Sequence, residues 1–496
     1  MTRYTVFKRT GTHADVLAAV GAADLLRKLD PRIVELQDCF VVELRRPLVP
    51  ADLDDADPGY SNIDRSPEAS KDRMLTILSR MKAYGGPNLV NENFAKMKQL
   101  SWSRRVWESL NGRPDFVFSA PLVQLFNPHC GRGYSLLKPS GTNRSDKTKD
   151  RWAEPFLEWL RYRGYFAASA GWFTSGDLRM YTPIPAFVGY NRLSAAASAL
   201  RGLKLGGSSV KMDCRAVLGL ARTLIENARV HQRPSESVRG VYIAHYKDMG
   251  QTHTFMAMEQ LALPDWFELR NSEHASRWLQ TIEEHDTVLR RLNDTHSDEF
   301  ALLKQYRLTL QLRARDSVAE FVEFLAGYAS LVFKRRSRDE WSLPQLSTVS
   351  VASILRRDPE LRTLLRHPGF LAVAGALRGS TIGAQAARHN GRVDHREVRY
   401  GLLTELRRAD KSRKPELARA VSAFISSFNA ESLRRRNSGL RAARIKNSEL
   451  DGFLAAIERL PERVPAASIL CAVVGCLPVR APAASSESLS IEAISA

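Results

Sequence analysis

Beyond about residue 275 the apolar residues of this chain fall into a 3.6-residue period and keep it, which commits the C-terminal part to packed helices. After Asp316, a residue able to cap a helix, the apolar positions run Val318, Phe321, Val322, Leu325, Ala329, Val332 and Phe333 in one stripe. That stripe stops at Lys334-Arg335-Arg336-Ser337-Arg338, where basic side chains suit the negative end of the helix dipole. A helix over Glu397 to Ala409 would use Val398, Leu402 and Leu406. Another, starting at Pro415, would turn Leu417, Ala420, Val421, Phe424, Ile425 and Phe428 inward. No helix can bury its own stripe, so the spacing predicts a bundle of about four or more helices over residues 276–460.

Upstream the patterning alternates. Tyr4 to Phe7 reads as a strand, and Thr12 can cap a helix through Leu29 with Val16, Leu17, Val20 and Leu26 on one face. Phe40 to Leu44 reads as a strand, residues 50–70 as an acidic loop, and a helical pattern resumes at Lys71. The apolar run from Phe116 to Phe126 fits a buried strand, and Trp152 to Tyr162 a helix with Phe156, Leu157, Trp159 and Leu160 inside. Further strands are expected at Tyr165 to Phe173, Leu178 to Tyr181, Val238 to Tyr246 and His253 to Met258. The fold class is therefore α+β, with a mixed domain over 1–275 followed by a helical bundle over 276–460. In residues 461–496 an apolar stretch, Ala466 to Val479, leads into a tail that reads as disordered; at fourteen residues it is shorter than a membrane span of ~20.

Charge narrows the partners. Seventy-three Lys and Arg face 54 Asp and Glu across 496 residues, a formal net charge of +19. Such an excess needs a polyanion or costs self-repulsion, and nucleic acid is the natural one, ahead of a membrane surface. Five scattered cysteines with no C-x-x-C pair indicate neither a disulfide framework nor a zinc ribbon. The N-terminus lacks the apolar core of a signal peptide, so a cytoplasmic chain is expected.

The excess is concentrated. From Asn127 to Arg151, six Lys and Arg stand against two Asp, and Gly131 and Gly133 flank Arg132, allowing close backbone approach to a ligand. In this loop Asn127, Lys138 and Asn143 are the candidates for base-edge or groove contact. Arg132, Arg144, Lys147 and Lys149 suit phosphates. In the helical part Arg378, Arg407, Arg408, Arg413 and Arg435 head a larger set, and no acid interrupts the stretch from Arg434 to Lys446.

Catalytic patterns are thin. Gly202-Leu-Lys-Leu-Gly-Gly-Ser-Ser lacks the lysine of a phosphate loop, and H-E-x-x-H is absent. His389, Asn390, Asp394 and His395 carry donors suited to a metal-dependent nuclease but fall in an expected surface turn between two helices. His285 reads as a core-edge histidine rather than a base. No catalytic residue, metal site or cofactor is assigned.

Asn127-Pro128-x-x-Gly131-Arg132-Gly133 with Lys138, followed by the helix to Gly164-Tyr165, resembles the N-terminal half of large subunits of type I CRISPR interference (Cascade) complexes. Similar to that family too are Lys211-Met-Asp-Cys-Arg-Ala-Val-Leu-Gly-Leu-Ala-Arg and the stretch from Tyr246 to Leu263-Pro264-Asp265-Trp266. So is Ala376-Leu-Arg378-Gly-Ser380-Thr381, leading to Val398-Arg-Tyr400-Gly401. Together these cover about residues 1 to 435. The resemblance implies a subunit without catalysis that joins the crRNA-containing Cascade subunits. It would recognise the flanking motif (PAM) in target double-stranded DNA, help open the duplex, hold the displaced single strand and recruit a helicase-nuclease. Its C-terminal helices would resemble the complex's small subunit, and guide RNA pairing would supply sequence specificity. A stand-alone nucleic-acid-binding protein and a metal-dependent nuclease are the alternatives.

Overall fold

A computed structural model describes residues 2–53, 155–174, 176–228, 233–249, 253–267, 272–312, 314–337, 346–380, 414–438 and 444–459, with a few isolated positions besides. Among them the fold is α+β, with two four-stranded antiparallel sheets and a helical C-terminal region. The chain divides into two compact units, Met1–Ala275 and Ser276–Ala496. Of the helix expected from Lys71 only Met74 and Ile77 are described, both helical and buried; the helix at Glu397 to Ala409, the strand at Phe116 to Phe126 and the tail after residue 460 lie outside the described residues.

The first sheet has the order β1-β3-β2-β6, from β1 (Thr2–Phe7), β2 (Arg32–Glu35), β3 (Cys39–Leu44) and β6 (Phe187–Gly189). Alternation places Tyr4, Val42, Ile33 and Val188 in one register row, all buried. The second sheet, β4-β5-β7-β8, is formed by β4 (Ala170–Thr174), β5 (Asp177–Pro185), β7 (Val238–Asp248) and β8 (His253–Ala262).

Helix α1 (His13–Leu25) is capped by Thr12, whose hydroxyl accepts from the amide of Ala14. It stops at Leu25, and Arg27–Leu29 follow as a 3-10 turn, so the helix expected through Leu29 is shorter than its apolar pattern suggested. Every residue of α1 is buried, so no single face is defined. Its small residues let α2 (Pro155–Ala168) approach until backbones touch: a Cβ on Gly21 would lie 1.8 Å from the carbonyl oxygen of Leu160, and one on Gly164 would lie 1.9 Å from that of Leu17. This contact also corrects one expectation. Tyr165 to Ala168, read as the start of a strand, continue α2, and the strand begins only at Ala170.

Charges are buried as matched sets. Asp24 receives the Arg163 guanidinium at 2.6 Å and the Tyr190 hydroxyl at 2.5 Å. The hydroxyl comes from α3 (Tyr190–Gly202). On α4 (Ser209–Glu226), Asp213 takes a two-pronged bond from Arg179 of β5, at 3.1 and 2.7 Å, and a third from the Tyr181 hydroxyl at 3.0 Å. Burial, reinforced by Asp213, pushes the Tyr181 phenol well above its usual range. The glycine-rich stretch before α4 is a turn into its cap: Gly207 has φ +95°, and the Ser208 hydroxyl accepts from the Lys211 amide at 3.4 Å. The short α5 (Pro234–Ser237) leads into β7.

The described helices of the second unit are α6 (Ser272–Arg291), whose first turn precedes the boundary at Ser276, α7 (Ser297–Gln311), α8 (Ala314–Ser337), α9 (Thr348–Leu355), α10 (Pro359–Leu365), α11 (Pro368–Arg378), α12 (Lys414–Asn437) and α13 (Asn447–Arg459). In α8, Val318, Phe321, Val322, Leu325 and Val332 are buried as the spacing requires, and so are Phe324 and Tyr328. In α12, Leu417, Val421 and Ile425 are buried while Ala420, Phe424 and Phe428 are half-exposed, a narrower stripe than expected. His285 is fully inside: its Nδ1 pairs with the Tyr306 hydroxyl at 2.8 Å, and its ring stacks on Phe321 at 5.4 Å.

Burial holds the His285 pKa down at about 4, so the ring is neutral in the folded protein. In the unfolded chain it titrates near ~6.5, so the unfolded state takes up the proton first as pH falls. The stability from His285 is whole above that value and is lost between there and about 4, roughly 3 kcal/mol in total. His285→Phe should flatten this acid arm in urea unfolding compared at pH 7 and pH 4.5. Equal losses in variant and wild type would show that other groups govern it.

Candidate nucleic-acid interface

Ten of the twelve sequence-predicted contact residues, namely Asn127, Arg132, Lys138, Asn143, Arg144, Lys147, Lys149, Arg407, Arg408 and Arg413, lie outside the described residues, as do His389, Asp394 and His395. Arg378 occupies the last turn of α11, half-buried. Arg435 occupies the last turn of α12 between exposed Arg434 and Arg436, and pairs with Glu431 one turn back. That pair offsets part of the local charge, since i,i+4 partners of opposite sign attract on a helix surface.

The helical unit brings together a second basic group that no run of charge in the sequence announces. Arg277 and Trp278 stand in the second turn of α6. Arg356 and Arg357 follow α9, and Arg366 follows α10. The Arg357 guanidinium lies over the Trp278 ring, 5.4 Å from its centroid, while the ring is almost fully buried. Arg277 and Arg366 are exposed; Arg356 is half-buried. Burial lowers the Arg356 pKa, and the positive fields of Arg366 and Arg277 lower it further. The Arg356 guanidinium is thus repelled by both of these neighbours.

Arg356 and Arg366 occupy helix C-caps, where the dipole offers part of the compensation. Arg277 stands near the opposite end of its helix, in its second turn. Asp358, next to Arg357 in the chain, caps α10 through the amides of Glu360 and Leu361 at 2.8 and 3.2 Å. The patch supplies planar, permanently charged donors and no base or nucleophile, which suits phosphate binding. Among the described residues, no group of three or more His, Cys, Asp or Glu stands where it could hold a metal ion. Nor is any described helix long and apolar enough to cross a membrane.

Other basic residues serve the fold. Arg335, from the run that ends α8, pairs with the buried carboxylate of Glu299, which also accepts from the Asn293 amide at 2.6 Å and faces His296 Nδ1 at 3.0 Å. Arg201 donates to the carbonyls of Ser169, at 2.7 Å, and Phe166, closing the end of α2. No model of a known protein family matches the chain, and no curated protein matches it.

Proposed function

We propose that this protein is the large, non-catalytic subunit of an RNA-guided CRISPR effector complex of the Cascade type. In this role it recognises the flanking motif in target DNA, helps to open the duplex, holds the displaced strand and recruits a helicase-nuclease. The observation that carries the reading is the arginine patch of Arg277, Arg356, Arg357 and Arg366 around Trp278 in the helical unit, whose planar, permanently charged donors suit phosphates. The α+β architecture and the net charge of +19 support it. The resemblance carried by the Asn127 loop and by Lys211 to Arg222 supports it as well.

The test is recovery of the tagged chain from cells that carry a CRISPR array, with sequencing of the RNA it brings down. The expected result is RNA of uniform length, each molecule joining a constant repeat fragment to a variable spacer, together with the other subunits. Recovery of no RNA, or of RNA unrelated to the array, would favour a stand-alone nucleic-acid-binding protein. Magnesium-dependent cutting of DNA by the purified chain alone would favour the nuclease.

A further inference from the structure

The first sheet has an outer face as well as the inner one packed on α1. Its register puts Arg3, Glu43, Arg32 and Gly189 in one row across the four strands, and Thr5, Val41, Val34 and Phe187 in the row two residues along. Side chains of these rows project to the same side. At the β6 edge this face descends into a groove of about 540 Å³ between the sheet and the start of α3. Its lining includes Asp30, Arg32, Arg45, Phe187, Asn191 and Arg192.

Four features mark it as built. Phe187 is 44% exposed, and the Arg32 guanidinium lies over its ring at 4.6 Å, forming a flat cationic and aromatic ledge. Among the described residues, Asp30 alone, glycines apart, has a positive φ, at 47°, a left-handed conformation that side chains other than Asn and Asp rarely adopt. Its carboxylate is held by Arg45 at 3.0 Å and by the Asn191 amide at 3.4 Å. Arg192 in turn is fixed by the Leu224 carbonyl at 2.9 Å and the Ser237 hydroxyl at 3.2 Å. The floor is open, since a Cβ added at Gly189 would meet nothing within 4 Å.

The chemistry is that of a whole nucleotide rather than a bare phosphate. Asp30, paired with Arg45, and Glu43, paired with Arg3 at 3.0 Å, have further lone pairs that can accept from an exocyclic amino group or a ribose hydroxyl, Asn191 can pair with a base edge, and the ledge offers a surface for stacking. A groove of this volume falls within the ordinary range of small-ligand sites. We propose that it holds one unpaired nucleotide of a single strand, with the base stacked on the Arg32–Phe187 ledge and the flanking phosphate on Arg45. The proposal rests on the nucleic-acid reading above but uses a separate surface.

The test uses the full chain and labelled 12-nucleotide RNA and DNA strands of mixed sequence. Gly189→Leu fills the open floor without removing charge, and Phe187→Ala removes the stacking ring from an exposed site, so the second variant keeps the test valid should the first misfold. Each should weaken binding by about tenfold, the value of one stacked base, with thermal melting unchanged for Phe187→Ala. Loss on both strands supports the site as drawn. Loss on RNA alone supports it and assigns a ribose hydroxyl to the Asp30 and Glu43 carboxylates; loss on DNA alone supports it and assigns the displaced strand. Unchanged binding of both strands by both variants, while substitution of Arg277 and Arg366 does weaken it, overturns the groove and leaves the proposed function standing. No binding of either strand by the wild-type chain overturns both.

Discussion

Gly21→Ala is expected to lower the melting temperature of the N-terminal unit by about 10 °C, a large effect for one methyl group. The added Cβ would lie 1.8 Å from the Leu160 carbonyl oxygen, 2.5 Å from its carbonyl carbon and 2.9 Å from its Cα. All three are backbone atoms of α2, so no side-chain rotation relieves the clash and the helices must separate. Overpacking costs about 1–3 kcal/mol where neighbours can adjust, and a rigid backbone puts this case at the upper end or beyond. For a unit of this size each kcal/mol shifts the midpoint by roughly 2–4 °C. Gly219→Ala in α4 is the matched control, because its Cβ would meet only the tip of the Leu203 side chain, at 2.4 Å. A tip can rotate away, and alanine in a helix gains up to about 1 kcal/mol over glycine. Similar small shifts for both variants would show that the α1–α2 contact is looser than described.

How much of this was legible in the sequence depends on the element. The stripe through Leu417, Val421 and Ile425 follows directly from periodicity, and the strands at Cys39–Leu44 and Val238–Asp248 follow from their Val, Ile, Tyr and Phe content, since both are buried along most of their length rather than on alternate residues. Helix α1 is legible as a helix but not in its packing, since it is covered on all sides and its Ala and Gly residues carry no amphipathic signal. Tyr165 to Ala168 look like strand residues and are helical because Gly164 lets α2 press on α1, a tertiary contact outside any local window. Strand β2 is only four residues long, β6 only three, and neither leaves a pattern to read.

The site was less legible, for an electrostatic reason. Counting basic residues does not separate those that hold the fold together from those that can meet a ligand. Arg163 and Arg179 are bound to buried aspartates, and Arg192, Arg201 and Arg335 are committed to carbonyls or a buried glutamate. The patch at Trp278 gathers arginines from three helices, two of them at C-caps, so its charge is dispersed over some ninety residues of sequence. The spacing of Arg356, Arg357 and Arg366 at the ends of two successive short helices is the one signal that could have pointed there.

The second large effect concerns that patch. Arg277→Gln, Arg356→Gln and Arg366→Gln together remove three positive charges while keeping length and helix propensity nearly unchanged. For single strands each neutralised phosphate contributes about 0.7 to the slope of log affinity against log salt, so three lost contacts flatten the slope by about 2. At about 0.1 M salt the same arithmetic gives a hundredfold loss of affinity. Since Arg356 is half-buried, the pair Arg277→Gln and Arg366→Gln, both at exposed positions, provides a version that leaves packing untouched and should flatten the slope by about 1.4.

The claim that the helical unit holds a displaced strand through its phosphates is tested most directly by measuring that salt slope for the wild type and the triple variant. The substrate is a target duplex carrying an unpaired bubble. The account predicts a hundredfold loss and a slope shallower by about 2 on the unpaired strand, with preference for the flanking motif in duplex DNA retained. A folded triple variant with the wild-type affinity and slope would contradict it, leaving these arginines as solvated surface.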